Sequence, residues 1–497
     1  MLSGLLSALA FPKFSLSFFI WISFIPLFFI ISKKTPKQSF LLGMIAGFSF
    51  YAVLLSWIPD VPAHYGNLSM GFSILIYIVF MLILSLFWAF FSLFFSKIRR
   101  SFPHAVFFLA PFLWIVFEYA LAHILTGFPW GLVGYAQYKN LYFIQMASIT
   151  GIYGLSFFIV LLQSLFVLSI QTRKKAPFFT GLVIVLLIHL GGFLSLKKII
   201  VTSETFQASV IQGNVSSDIY WPDISYEKIQ QLFNEHISLS NAASISGSQL
   251  IIWPEFSIPL CFSCPSEFYR NFKKDLFQFV QETQSTLLLG TNEMFPFQDT
   301  NQYFNTALCL SPDLSTTEYH KIHLVPFGEY TPYKKIFSFI NKMTHAIGEI
   351  TPGKEFRHHS FKTVPYGSPK CYEIIFPNLV RKFTKNGAQF LTTLTNDGWY
   401  GLSAAPYQHF AIAVMRAVEN RRFLLRAATT GISGIVDPFG RILVESELET
   451  QTFLTGHITP LSKKTLYTLT GDVFVYVSLT LSFLFLILAS PFIRRNK

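Results

Sequence analysis

Cys371 stands in Ser368-Pro369-Lys370-Cys371-Tyr372-Glu373-Ile374-Ile375-Phe376-Pro377, after a turn-forming Gly367-Ser368-Pro369 and before an apolar run closed by proline. That places a thiol at the junction of a strand and the next element, with a carboxylate two residues on at Glu373. A single cysteine is more often a small buried hydrophobe than a nucleophile, and two further stretches change the reading. Leu250-Ile251-Ile252-Trp253-Pro254-Glu255 is an apolar strand that delivers a carboxylate just past a proline. Residues 319–329 carry Lys321 on a mixed strand and then a second glutamate, Glu329. Acyl transfer needs a nucleophile, a base to take its proton, and a cation or donors where negative charge develops. Cys371, Glu255 and Lys321 supply one of each. A free thiol titrates near about 8.5, so at neutral pH it needs the base or the cation beside it. Partial burial is expected to raise the proton affinity of Glu255 towards a useful range. Backbone N–H groups around Tyr372 would assist Lys321 at the oxyanion.

A Glu, a Lys and a Cys in that order, each at a strand end beside a Pro or Gly, resemble the nitrilase superfamily of carbon–nitrogen hydrolases. The detail resembles the apolipoprotein N-acyltransferase family: Trp253-Pro254-Glu255, His323-Leu324-Val325-Pro326-Phe327-Gly328-Glu329-Tyr330 and Cys371-Tyr372-Glu373 are similar to its motifs. So are residues 125–131 around Phe128-Pro129-Trp130, Gly134-Tyr135-Ala136-Gln137, and residues 151–157. The resemblance implies Glu255, Lys321 and Cys371 as the catalytic triad, with Glu329, Tyr372 and Glu373 supporting it. It implies Trp221 as a substrate-contacting loop residue, and Asn305 and the 395–400 segment, Trp399 included, as shaping the pocket. One departure is visible, because Leu121 stands near the place where the family usually has an arginine shortly after Glu118. Glu118 itself lies in an apolar run, where a carboxylate is a functional candidate or is close enough to a helix end to find a partner.

The elements that must position these residues divide in two. The chain is 497 residues, 52% hydrophobic and only 13% charged, with a mean hydropathy of +0.46, which points to a polytopic membrane protein. About 20 apolar residues cross a bilayer as a helix. The runs 16–32, 39–58, 71–96, 104–123, 142–170, 177–196 and 472–492 qualify, and the shorter 2–12 is a marginal eighth. Met1-Leu2-Ser3 lacks a basic start, so a cleaved signal peptide is not expected.

The formal net charge of +12 sits largely in short loops, which is a topology signal and not a nucleic-acid patch. Lys33, Lys34 and Lys37, then Lys97, Arg99 and Arg100, then Arg173, Lys174 and Lys175, then Arg494, Arg495 and Lys497 follow alternate spans. Those loops are assigned to the cytoplasm, although Lys197 and Lys198 break the pattern. The intervening region reads as alternating strands (206–212, 249–253, 286–290, 305–310, 389–394, 431–436) and helices (225–243, 266–284, 406–422), as in a layered α/β domain. The expected architecture is residues 1–198 as spans, 199–471 as an extracytoplasmic domain that the resemblance makes an αββα sandwich, and 472–497 as the last span and basic tail.

Four cysteines are too few for a disulfide framework, and Cys261 and Cys264 form either a loop disulfide or nothing. His320 and His323 lack a helical H-E-x-x-H context, so no metal is assigned, and no phosphate-binding glycine loop argues for a nucleotide. No cofactor is expected. The acyl group must therefore arrive as an ester, and a membrane supplies phospholipid. The resemblance implies transfer from phospholipid through a Cys371 thioester to the α-amine of the S-diacylglyceryl cysteine of an apolipoprotein, by a monomer in the bacterial inner membrane facing the periplasm. A membrane-tethered hydrolase of small extracytoplasmic amides would share the triad without needing the spans. A transporter is disfavoured by the scarcity of intramembrane charge.

Overall fold

The computed structural model describes residues 1–197, 204–216, 224–258, 261–264, 267–297, 300–333 and 349–489. Among these, five helices are long and apolar enough to cross a membrane: Pro36–Leu54, Met70–Ser101, Ala105–His123, Ile152–Thr172 and Ala176–Leu196. Val473–Leu488 is a shorter apolar helix. Two expected spans are not single helices. In 16–32 a 3₁₀ turn at Ser17–Trp21 is separated from a helix at Ile25–Ile31, where Pro26 has no N–H to carry a helix through from upstream. In 142–170 the short helices Leu141–Ile144 and Ala147–Thr150 stop at Gly151, whose φ of 67° ends the turn before Ile152–Thr172 begins. The N-terminal helix Leu2–Leu9 rises about 12 Å, too little to cross alone.

The basic loops come together. Ser96 donates to the Lys34 carbonyl at 3.0 Å and Gln171 to Ser32 at 2.6 Å, so three charged segments share one end of the bundle. Helix Pro36–Leu54 starts beside Lys37 at that end, and about 28 Å further on its Leu54 carbonyl accepts from Gln408 of the second domain. Arg494, Arg495 and Lys497, the tail members of the expected basic set, lie outside the described residues.

The second domain contains two six-stranded sheets. With β1 Phe206–Gln212, β2 Leu250–Ile252, β3 Thr286–Phe297, β4 Thr300–Leu310, β5 Thr316–His320 and β12 Thr452–Ile458, the first runs β12-β1-β2-β3-β4-β5. With β6 His359–Phe361, β7 Val364–Gly367, β8 Phe390–Thr395, β9 Leu424–Ala428, β10 Gly434–Val436 and β11 Ile442–Glu445, the second runs β11-β10-β9-β8-β7-β6. Each has three parallel strands at its centre, β1-β2-β3 and β7-β8-β9, flanked by antiparallel ones. The sheets face each other through Phe206 against Phe361 and Phe390, and Tyr366 donates to the Cys309 sulfur across the gap at 3.2 Å. Helices Tyr226–Ile245 and Glu267–Thr283 cover the first sheet, burying Phe233, Phe272 and Leu276 against Ile251 and Trp253. Helices Pro377–Lys385 and Ala405–Asn420 cover the second, which completes an αββα sandwich.

Helix Ala405–Asn420 is buried along its whole length because the helical region covers its outer side. Gln408 accepts from Trp57 and Trp130 at 3.3 and 2.7 Å and donates to the Pro12 and Leu54 carbonyls, both at 3.0 Å. Further along the helix, Arg416 donates to the Tyr135 hydroxyl at 2.9 Å, and Glu419 accepts from the Ile152 N–H at 2.9 Å. Buried polar groups stay in place only when they find partners, and here the partners are in the other domain.

Candidate active site

Glu255 follows β2, Lys321 follows β5, and Cys371 follows β7 by a short turn. Gly290 lets β3 close on the first of these: a Cβ there would lie 2.7 Å from both the Glu255 Cα and the Pro254 carbonyl. Cys371 opens the 3₁₀ turn Cys371–Ile375 with φ at 44°, in the left-handed region that few non-glycine residues adopt. Such strain is held only when the surroundings over-determine it. Two anchors do so here. Glu373 accepts the Lys370 N–H at 2.7 Å, the Ile322 and His323 N–H groups at 2.8 and 3.0 Å, and the Tyr319 hydroxyl at 2.8 Å, tying the thiol's turn to the lysine's loop. From behind, the His409 Nε2 lies 3.2 Å from the Cys371 carbonyl.

The catalytic candidates meet. Lys321 Nζ lies 3.3 Å from Glu255 Oε1 and 2.9 Å from Glu329 Oε2, with all three side chains buried. Asn305, on β4, donates to Glu255 at 2.7 Å and to Glu329 at 2.6 Å. Glu329 is held by the Val325 N–H at 2.8 Å. The Cys371 thiol and Glu255 each act on the other's proton affinity, and the Thr395 hydroxyl at the end of β8 lies 3.2 Å from the Cys371 sulfur.

The expectation that burial raises the proton affinity of Glu255 is reversed in the structure. Burial does push it up, but Lys321 and Lys370, then Asn305 and Cys371, outweigh the effect and hold it below the ordinary carboxylate value. Burial and the Glu255 charge push the Cys371 thiol up to about 12. Lys321 is raised because its two carboxylates overcome burial. The resting pair is therefore a carboxylate facing a protonated thiol, which is the state a general base and its nucleophile need.

Lys370, His409 and Arg426 are residues of the site that the sequence does not assign, whereas Thr395 and Asp397 fall in the expected 395–400 segment. Lys370, beside the nucleophile, is fully buried and donates to Asn305 Oδ1 and, at 2.8 Å, to the Thr306 carbonyl. Behind Cys371, Asp397 is held by Arg426 at 2.6 Å, His409 at 2.9 Å and Thr395 at 3.0 Å. Burial opposes that charge, but Arg426 and His409 keep the carboxyl well below its usual range. Arg426, on β9, and His409, on helix Ala405–Asn420, are separated in sequence from the Cys, Lys and Glu motifs, and only their meeting at Asp397, just past β8, joins them to the site. A Lys immediately before a candidate nucleophile was the one signal available.

Of the remaining expected residues, Tyr372 and Trp399 contact the helical region beside this core. The Tyr372 hydroxyl donates to the Gly127 carbonyl at 3.1 Å, joining the catalytic turn to the helical region. Trp130 stacks on His409 at 5.3 Å, and Trp399 meets Tyr65 edge-on at 4.5 Å. Loops of the helical region therefore form one wall of the site. Glu118 is buried and accepts from Trp114 and from the Val133 N–H at 3.0 and 2.8 Å, so its carboxylate has found partners inside the helical region. Trp221 lies outside the described residues. Cys261 and Cys264 are disulfide-bonded, and no group of metal-binding side chains occurs among the described residues.

Residues 3–165 match the family profile of the apolipoprotein N-acyltransferase N-terminal domain, and residues 207–464 match that of carbon–nitrogen hydrolase. The chain is similar to the apolipoprotein N-acyltransferase of Geobacter metallireducens, with 35% identity over 96% of this chain and 91% of the relative. It is also similar to that of Coxiella burnetii, with 29% identity over 97% and 98%. Among solved structures it is similar to Saccharomyces cerevisiae Nit3, of the nitrilase superfamily, at a TM-score of 0.39 and 18% identity over 52% of this chain and 91% of that one. With both domains matched in order and a relative 35% identical along nearly all of either chain, this protein belongs to the apolipoprotein N-acyltransferase family.

Proposed function

We propose that this enzyme transfers an acyl chain from a membrane phospholipid to the N-terminal α-amine of the S-diacylglyceryl cysteine of apolipoproteins, through a thioester on Cys371. The observation that carries the reading is the buried contact of Glu255, Lys321 and Cys371 beneath a wall made by the helical region. Glu255 takes the thiol proton, and the sulfur attacks the ester carbonyl. Lys321, with backbone N–H groups near Tyr372, stabilises the oxyanion. Collapse expels the lysophospholipid oxygen, which takes the proton back from Glu255. In the second half-reaction the amine attacks the thioester, its proton passes to Glu255, and Cys371 leaves as thiolate and is reprotonated. Two ping-pong steps replace one difficult transfer.

Glu329, Glu373 and Tyr372 support the triad, while Trp221, Asn305 and Trp399 shape or contact the substrate site. Glu118 locks the 105–123 helix to the Val133 segment. The chain works without a cofactor, as a monomer in the bacterial inner membrane. Its basic loops are cytoplasmic and its catalytic domain, within 199–471, faces the periplasm between spans in 1–198 and 472–497. The test is intact-mass analysis of the protein mixed with phospholipid, followed by addition of a diacylglyceryl lipopeptide. Cys371 should gain one acyl mass and lose it to the peptide amine. Cys371→Ala should show neither step, while Cys261→Ala, Cys264→Ala and Cys309→Ala keep both. An acyl adduct on Cys371→Ala refutes the assignment.

A further inference from the structure

Lys370 is a fully buried ammonium beside the Cys371 thiol. Burying an unpaired cation costs several kcal/mol, so a fully buried lysine needs specific partners. It finds Asn305 Oδ1 and the Thr306 carbonyl, and its Nζ lies 5.5 Å over the Phe256 ring. A lysine offers only donors, so the Asn305 oxygen must face it. The amide nitrogen is then turned the other way, and its two hydrogens meet Glu255 and Glu329. Swapping the amide's ends would put an oxygen against two carboxylates and a donor against an ammonium.

The charge count favours the same role. Glu255 and Glu329 carry two negative charges, and Lys321 alone carries one positive. Glu373 is compensated by three N–H groups and a hydroxyl. Lys370 supplies the balancing cation. We propose that Lys370 is a positioning residue of the acyl-transfer site, which fixes the Asn305 amide against both glutamates and keeps Glu255 ionised and ready to accept the thiol proton. This deepens the acyl-transfer reading and rests on it.

The groups facing Lys370 are Glu255, Lys321, Glu329 and Glu373, with Cys371 adjoining and His320 and His359 within reach of its field. Burial, and Lys321 with it, lowers its pKa to about 8. Removing the cation lets burial raise Glu255, so the acid limb of Cys371 reactivity moves to higher pH.

The experiment measures Cys371 alkylation by iodoacetamide against pH, by intact mass, on the full chain in nanodiscs. Lys370→Met should move the acid midpoint up by about one unit, a roughly tenfold loss below it. Asn305→Ala should shift it in the same direction, and the double variant should shift it by less than the sum of the two, since part of the Lys370 effect runs through that amide. An unshifted midpoint, or additive shifts, overturns the proposal. Should Lys370→Met not fold, Asn305→Ala still decides: an unshifted acid midpoint in that variant refutes the role, because Lys370 is proposed to act on Glu255 through the amide it fixes. Phospholipid loading is scored separately. A parent that alkylates as described but never loads acyl refutes the acyl-transfer reading and leaves the Lys370 role standing.

Discussion

Two buried charge clusters flank Cys371, and they are built to opposite ends. Behind it, Asp397 is surrounded by Arg426, His409 and Thr395, donors on every side, with carboxylate, ring and guanidinium fully buried. In front, Glu255 and Glu329 share Lys321, Asn305 and, through Asn305, Lys370. The rear carboxylate is contacted by three side chains and stays charged, which suits a fixed anchor. The front carboxylates share their donors, and Glu255 also meets a thiol that can give up a proton.

Breaking the rear cluster should therefore cost stability first. Arg426→Met leaves Asp397 buried beside His409 and Thr395 alone, and removing one partner of a buried ion pair costs about 3–5 kcal/mol. The expected outcome is a large fall in the thermal midpoint, partly restored in Asp397→Asn/Arg426→Met, where no charge is orphaned. Equal losses in the single and double variants contradict the anchor role.

Breaking the front cluster should cost rate with a smaller change in folding. Lys321→Ala is expected to slow acyl loading of Cys371 by about 10²–10³, the usual loss for one oxyanion donor, and Glu255→Gln by about 10²–10⁴, the usual contribution of a general base. A Glu255→Gln variant that loads as fast as the parent would move the base to Glu329 or Glu373.

The smallest effect tests the joint between the clusters. The Thr395 hydroxyl has one proton and two acceptors, the Cys371 sulfur at 3.2 Å and Asp397 at 3.0 Å. It lowers a thiol that burial pushes up to about 12. Thr395→Val removes that help, so the thiol rises further and ionises less at any given pH. A net hydrogen bond of about 0.5–1.5 kcal/mol sets a loss of alkylation rate of about two- to tenfold, recovered by Thr395→Ser. Unchanged rates in Thr395→Val would show that its proton serves Asp397 alone.

Strand ends announced themselves in sequence because apolar runs cut by Pro or Gly have a local cause. β1 falls on 206–212 as expected, and Glu255, Lys321 and Cys371 each stand just past a strand. Apolar length also marked the membrane helices, since crossing a bilayer is a property of one segment. It failed at 16–32 and 142–170, where Pro26 and Gly151 interrupt the helix inside a continuous apolar run. Net electrostatics belonged to the tertiary structure. Whether burial or neighbouring ammonium groups governs Glu255 depends on Lys321 and Lys370 arriving from other loops, the nearer of them 66 residues along the chain. His409 and Arg426 could not be read as site residues because their link to Cys371 runs through space, from β9 and the covering helix to Asp397 and the Cys371 carbonyl. A residue's type and its neighbours in the chain decide what chemistry it can offer. Its charge state and partners are decided by which strands and helices fold against it.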